Sequence, residues 1–179
     1  MKNKDLEIRR KAAKIKLFIS DVDGVLTRGE IILDANGLEY KAFHVRDGHG
    51  IKLLMRAGVE VALITGRNSK VVDVRARELG IEHVIQGAKE KLPAYQELKD
   101  RLGVLDEEVA YIGDDNVDLP VMRRVGLSIA VADAEPYVRE AADFVTERGG
   151  GQAAVREAID LILKARGDWD RINSKYFNG

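Results

Sequence analysis

Lys16-Leu17-Phe18-Ile19-Ser20-Asp21-Val22-Asp23-Gly24-Val25-Leu26-Thr27 decides how the rest of the chain is read. A short apolar run ends in two carboxylates separated by one residue, followed by a glycine. The run has the length of a strand, and its lack of polar alternation suits a strand covered on both faces. In open parallel sheets the ligand crevice lies at the carboxyl ends of the strands, where Asp21 and Asp23 fall.

Working outward, residues 59–64, 82–86, 109–112 and 127–132 repeat the pattern of short runs rich in Val and Ile. Between them, residues 69–79, 90–102 and 116–125 carry apolar side chains at helical spacing. Gly80, Gly103 and Gly126 stand just past those segments, where a helix ends in a left-handed residue. Strand–helix–strand alternation predicts an α/β fold: a three-layer, Rossmann-like parallel sheet with helices on both faces. Residues 1–179 read as a single domain, without repeats or low-complexity segments. One segment interrupts the alternation. Residues 30–34 and 38–43 flank Ala35-Asn36-Gly37, which predicts a β-hairpin inserted after the first strand, suited to a flap or a subunit edge.

Composition limits the chemistry. The chain has 179 residues, 45% hydrophobic and 33% charged, with a net charge of −1, so no basic field invites nucleic acid. Cysteine is absent, which excludes thiol catalysis and thiolate metal sites, and there are only three histidines. The first residues do not read as a secretory signal, and nothing approaches the roughly 18 apolar residues of a membrane span. The expectation is a cytoplasmic protein with no membrane partner.

Gly113-Asp114-Asp115-Asn116-Val117-Asp118 closes the fourth main strand with a second acidic cluster. Two such clusters at the same end of neighbouring strands repel unless a cation lies between them. Oxygen ligands favour a hard ion, and Mg²⁺ suits phosphate chemistry. Two further strand ends complete a phosphate site. Leu63-Ile64-Thr65-Gly66-Arg67 offers a hydroxyl and free backbone amides, and Gln86-Gly87-Ala88-Lys89-Glu90-Lys91 offers ammonium groups at a helix start. Each piece alone is weak, since Asp-x-Asp is commonly a solvated turn and a lysine near a helix start is commonly a surface charge. Four in order, each at a strand's end, point to phosphoryl transfer through a covalent aspartyl intermediate.

These motifs resemble those of the haloacid dehalogenase superfamily of aspartate-nucleophile phosphatases. The resemblance implies Asp21 as nucleophile and Asp23 as acid/base. It also implies Mg²⁺ held by Asp21, the Asp23 carbonyl and Asp114, with Asp118 steadying the metal's waters, and Thr65 and Lys91 on the phosphoryl oxygens. Lys89 is a rival to Lys91, although Glu90-Lys91-Leu92 fits the family pattern better. A narrower likeness runs through the hairpin, residues 41–51, Thr65-Gly66-Arg67, residues 130–134 and Arg148-Gly149-Gly150-Gly151. It points to the capless, tetrameric branch that dephosphorylates an eight-carbon sugar acid used in lipopolysaccharide synthesis. That branch implies a homotetramer whose hairpins pack together and whose neighbouring subunit helps close each site. It places His44, Val45, Arg46, Asp47 and Gly48 around the sugar, with Lys52, Arg67 and Arg75 also contacting substrate.

Three other functions fit parts of the pattern. A nine-carbon sialic-acid-type 9-phosphate would need the same chemistry, but phosphatases of that kind tend to carry Glu where this chain has Arg67. A non-catalytic tetramerisation module would have lost acids that are present here. A signalling receiver places its phosphorylated aspartate on a middle strand rather than on the first. At the other end, residues 156–165 read as a final amphipathic helix, and Trp169, Tyr176 and Phe177 in a tail of residues 167–179 suggest a reach towards a neighbour's site.

Overall fold

A computed structural model describes residues 2–177. In chain order its elements are α1 (Lys2–Ala12), β1 (Leu17–Ser20), β2 (Ile32–Leu33), β3 (Glu39–Tyr40), α2 (Val45–Arg56), β4 (Glu60–Ile64) and α3 (Lys70–Leu79). There follow β5 (His83–Ile85), α4 (Lys91–Leu102), β6 (Val109–Gly113), α5 (Leu119–Met122), β7 (Leu127–Ala130), α6 (Pro136–Ala141), β8 (Phe144–Val145), α7 (Ala154–Arg166) and α8 (Trp169–Phe177). Single 3-10 turns at Asp106–Glu108 and Asn116–Asp118 precede β6 and α5.

The opening run becomes an inner strand of a six-stranded parallel sheet, in the order β5-β4-β1-β6-β7-β8. Every residue of β1, β6 and β7 is buried, which is why these strands show no polar alternation. A fully buried Leu, Ile or Phe contributes about 1.5–3 kcal/mol each. In register, Ser20 of β1 lies beside Leu63 of β4 and Ile112 of β6, so the three chains leave the sheet together. The strand order runs outward from β1 in both directions, and such a switch point opens a crevice at the carboxyl ends. α1 and α2 both pack on α7, and α4 and α6 both pack on α5 as a second group. α7 buries Ala154, Val155, Ala158, Ile159, Ile162 and Leu163, the stripe expected of a helix laid on a core. Among the described residues, no helix is long and apolar enough to cross a membrane.

The expected strands and the helices at 69–79 and 90–102 are all present, and Gly80 and Gly103 end their helices with φ of 79° and 64°. The segment at 116–125 departs from expectation. It is a 3-10 turn running into a single turn of α5, because Pro120 sits within that turn and the acids before it bond backbone amides. Gly126 is therefore not a left-handed cap. Its N–H donates to the Asp106 carbonyl at 2.7 Å, and a Cβ there would lie 2.4 Å from the Glu107 carbonyl oxygen. The residue is small because another stretch of backbone passes against it.

The hairpin forms, with shorter strands than residues 30–43 suggested. Its turn is not a two-residue Asn-Gly corner. Leu33 pairs with Glu39, the Asp34 N–H donates to the Leu38 carbonyl at 3.0 Å, and Asp34 Oδ1 accepts from Asn36 N at 2.9 Å and Leu38 N at 2.7 Å. Gly37, at φ 80°, supplies the left-handed residue of that longer loop. Ile31, Ile32, Leu33, Leu38 and Tyr40 are exposed along the hairpin. α7 is not the last helix, since the tail continues as α8. There Tyr176 accepts a hydrogen bond from Arg56 at 3.2 Å and meets His49 edge-to-face, while Trp169 takes Lys164 over its ring. The tail thus lies on α2 and α7 of its own chain; Asn178 and Gly179 lie outside the described residues.

Candidate active site

Asp21 leaves the end of β1 with its N–H donating to the Ile112 carbonyl at 3.1 Å, which turns the following loop over the sheet edge. Asp114 follows β6, Thr65 follows β4, and Lys91 opens α4. Lys91 Nζ lies 2.9 Å from Asp21 Oδ1 and 2.6 Å from Asp118 Oδ1. Only 1% of its side chain is exposed, whereas Lys89 is a surface residue. Of the two lysines, it is Lys91 that enters the acidic cluster.

Asp118 is the fixed point of that cluster. Its Oδ1 also accepts the Tyr111 hydroxyl at 2.6 Å, and its Oδ2 accepts the amides of Asp114 and Asp115 at 3.0 and 3.2 Å. With both oxygens occupied, Asp118 holds Lys91 and shapes the loop that carries Asp114. One oxygen from each of Asp21, Asp114 and Asp118 can be chosen within 4.8 Å of one another. Burial, then the Asp118 charge, pushes the Asp21 carboxyl up to about 6 against the opposing pull of Lys91. Burial, then Asp21 and Asp118, pushes Asp114 up to about 8, again against Lys91. Burial alone would lower the Lys91 ammonium, but the two carboxylates outweigh it and raise it. Three acids facing one ammonium leave an excess of negative charge, and an all-oxygen donor set of this kind fits a hard divalent cation such as Mg²⁺.

Glycines let these loops approach. A Cβ on Gly24, at φ 88°, would meet Asp114 Oδ2 at 2.0 Å. From the far side, Gly150 N–H donates to Asp133 Oδ1 at 2.8 Å and Gly151 N–H to the Val25 carbonyl at 2.9 Å. A Cβ on Gly150 would fall 1.8 Å from the Gly24 carbonyl oxygen. Residues 148–151 therefore form the outer wall of the Asp21–Thr27 loop.

Asp23 belongs to a second constellation that sequence reasoning missed. Its Oδ1 is ion-paired with Lys41, and its Oδ2 lies 3.8 Å from Arg67 Nε. Glu39 on β3 stands behind both cations, with Oε1 at 2.9 Å from Arg67 Nη2 and 3.5 Å from Lys41 Nζ, and its Oε2 accepts the Ser69 hydroxyl. Thr65 is buried, its Oγ1 accepting from Arg67 N–H at 3.4 Å. Lys41 and Glu39 lie in the stretch that carries the family likeness but were assigned no role, because their partners lie far away in the chain.

The residues expected around the sugar are spread apart within one chain. His44 caps α2, its Nδ1 accepting from Arg46 N–H at 3.2 Å, and it borders a groove of about 340 Å³ with Thr27, Arg28, Lys41 and Phe43. Val45 and Arg75 line a different cleft of about 330 Å³ between α2 and α3. Arg75 is held there by Glu78 at 2.8 Å and by the Phe43 ring. Arg46 and Lys52 are exposed. Asp47 and Gly48 do not face an open pocket as expected; both are buried and border only a void of about 10 Å³. The reason is packing: Asp47 Oδ1 accepts the Arg156 N–H at 2.7 Å at the start of α7, and a Cβ on Gly48 would meet Arg75 Nη2 at 2.4 Å.

Burial holds Asp47 up at about 6 despite that bond and the nearby positive charge. A carboxyl whose folded value exceeds its unfolded one stabilises below the unfolded value, and that stability is lost as pH rises through the folded one. In Asp47→Asn, which keeps the acceptor for Arg156, this loss between pH 4 and 6 should vanish. Urea unfolding compared with the unaltered protein should shift in favour of the variant across that window by about 3 kcal/mol at most, and the difference should stay level above pH 7. A difference that does not change with pH would contradict it.

An Asp-tipped inner strand of a parallel sheet, a buried lysine and a second acidic loop meet in one cluster, an arrangement suited to a hydrolase acting on phosphate esters. The chain belongs to the haloacid dehalogenase-like hydrolase family, whose profile matches residues 80–159. Among its relatives is the 3-deoxy-D-manno-octulosonate 8-phosphate phosphatase KdsC of Escherichia coli (strain B / BL21-DE3), 51% identical over 164 residues, 92% of this chain and 87% of that one. The 3-deoxy-D-manno-octulosonate 8-phosphate phosphatase structure from Yersinia pestis superposes with a TM-score of 0.91 at 50% identity, covering 92% of this chain and 89% of the other. The corresponding Moraxella catarrhalis enzyme, solved in complex with magnesium ion, phosphate ion and a KDO molecule, matches with a TM-score of 0.93 at 46% identity. That match covers 95% of this chain and 98% of the other.

Proposed function

We propose that this chain, acting as one domain, is a Mg²⁺-dependent phosphatase that hydrolyses 3-deoxy-D-manno-octulosonate 8-phosphate to the free sugar acid and phosphate. What carries the reading is the pairing of Asp21 with buried Lys91 inside an acidic cluster, in a chain 51% identical to a phosphatase named for that substrate. An oxygen of Asp21 attacks phosphorus while the bond to the sugar oxygen breaks, and Asp23 gives that oxygen its proton. Asp23, now a carboxylate, takes a proton from water whose oxygen attacks the phosphoaspartate, releasing phosphate and restoring Asp21. Lys91 and Thr65 hold the phosphoryl oxygens and offset the charge that develops on them. Asp21, the Asp23 carbonyl and Asp114 would hold Mg²⁺, which would supply positive charge at the phosphate site. Asp118, its oxygens already occupied, acts by keeping Lys91 and the Asp114 loop in place.

The sugar set extends the reading to a homotetramer in the cytoplasm, working in lipopolysaccharide precursor synthesis. Val45, Arg46 and Lys52 are exposed in one chain, as they would be before a neighbouring subunit completes the pocket. The apolar residues along the hairpin suit the subunit contact. Arg67 reaches the same end of the sheet as Asp23 and supplies a guanidinium for the sugar's carboxylate.

The test is phosphate release from a panel containing the eight-carbon 8-phosphate and a sialic-acid-type 9-phosphate, with and without Mg²⁺. The eight-carbon substrate should give the higher kcat/KM. Chelation should remove activity by at least about a hundredfold, and Mg²⁺ should restore it. Preference for the nine-carbon compound would overturn the substrate, and full activity after exhaustive chelation would overturn the metal.

A further inference from the structure

We propose that Glu39 is a positioning residue that fixes Asp23 through Lys41 and Arg67, tying delivery of the leaving-group proton to the hairpin. The inference rests on the phosphatase reading and on Asp23 as its acid. Asp23 is the only member of the proposed catalytic set whose carboxyl stands apart from the Asp21–Asp114–Asp118 cluster. Both of its oxygens face cations, Lys41 at one and Arg67 at the other. Neither cation is held by Asp23 alone. Glu39 contacts both from behind, so the four side chains form a closed square of two carboxyl and two basic groups.

The burial pattern points the same way. The Lys41 side chain is 3% exposed and Glu39 is 17% exposed, whereas Arg67 is 45% exposed and long enough to swing into solvent. Without Glu39, Arg67 would lose its hydrogen-bonded partner, and Lys41 would keep only Asp23 to neutralise it. Asp23 would then keep its close pair with Lys41 but lose the anchored guanidinium at its other oxygen, and with it the restraint on where its carboxyl points.

Ser69 adds an independent observation. It occupies the N-cap of α3, where a serine hydroxyl normally accepts from a backbone amide of the first turn. It makes no such cap, and its hydroxyl donates to Glu39 instead. The β4–α3 connection therefore gives up a local helix contact to anchor the carboxylate of a hairpin strand. Glu39 and Lys41 come from the hairpin, Arg67 and Ser69 from the loop after β4, and Asp23 from the loop after β1. The square is the polar joint between the hairpin and the catalytic loops.

The leaving group supplies the test. A sugar alkoxide needs a proton to depart, whereas p-nitrophenolate departs without one, and kcat/KM reports the step in which it leaves. Glu39→Ala should lower kcat/KM for 3-deoxy-D-manno-octulosonate 8-phosphate by about tenfold or more, and for p-nitrophenyl phosphate by less than about threefold. Lys41→Met should spread the two substrates further apart, and Glu39→Gln, which keeps an acceptor for Ser69, should fall between. Should Glu39→Ala fold poorly, the ratio in Glu39→Gln and Lys41→Met decides. Equal losses on both substrates would mean general damage and would overturn the proposal, as would no loss on either. An unaltered protein inactive on both substrates with Mg²⁺ would overturn the phosphatase reading, and this inference with it.

Discussion

Asp21→Asn should reduce turnover of the sugar phosphate by at least about 10⁴-fold while leaving the protein folded. The amide matches the carboxylate in size and can still accept from Lys91, so the loop after β1 has no reason to move. What disappears is the oxyanion that attacks phosphorus. The structure also separates this loss from misfolding. Burial and Asp118 hold the Asp21 carboxyl up at about 6, so its ionisation at neutral pH opposes folding rather than supporting it. The sign follows from the raised value: stability from this group is present below its unfolded value and lost as pH rises through about 6. At pH 7.5, without added metal, the variant should therefore melt at the same temperature as the unaltered protein or higher. Phosphate release and thermal melting on one preparation check both halves. Residual turnover above about one part in a hundred would move the nucleophile elsewhere.

Lys91→Met should damage both activity and stability. The ammonium is nearly inaccessible and is the cation between Asp21 and Asp118. Removing one partner of a buried ionic group leaves uncompensated charge, which costs about 3–5 kcal/mol. Loss of a donor aimed at transferring phosphoryl oxygens costs about 10²–10³-fold in kcat. The pH dependence identifies the cause. Without Lys91 the folded-state value of Asp21 rises further, so the penalty is smaller in acid and grows as the pH passes through that value. Urea midpoints at pH 5 and pH 8 should show the variant closer to the unaltered protein at pH 5. Lys91→Arg should not rescue activity, because a planar fork does not fit the space of a compact ammonium held at 2.6–2.9 Å by two acids. A penalty equal at both pH values would mean lost packing rather than lost charge.

Legibility in the sequence followed the range of the forces involved. Phe18, Ile19, Ala110 and Ile129 declared their strands because double-sided burial writes an unbroken apolar run. Gly80 and Gly103 declared helix ends because a positive φ selects glycine locally. Gly126 misled for the same reason: a glycine required by a passing carbonyl looks no different from one required by its own dihedral angles. The short α5 was hidden because its shape is set by Asp118 bonding the Asp114 and Asp115 amides, a contact that periodicity does not record. In the site, Asp21, Asp114 and Lys91 were readable as motifs at strand ends. Lys41 and Glu39 were not, since what marks them is proximity to residues 18 and 28 positions away. Asp47 was placed around the sugar by the family likeness alone; within one chain its Oδ1 accepts the Arg156 N–H at the start of α7, a contact that no local pattern records.

The fit of Gly150 against Gly24 bears on any attempt to transplant this chemistry. The loop bearing the nucleophile takes its contour from a segment about 125 residues further along the chain, with no side chain between the two backbones. A graft of residues 21–27 into another scaffold would inherit the carboxylates but not the mould that curves them, so the donor pieces must travel as a pair.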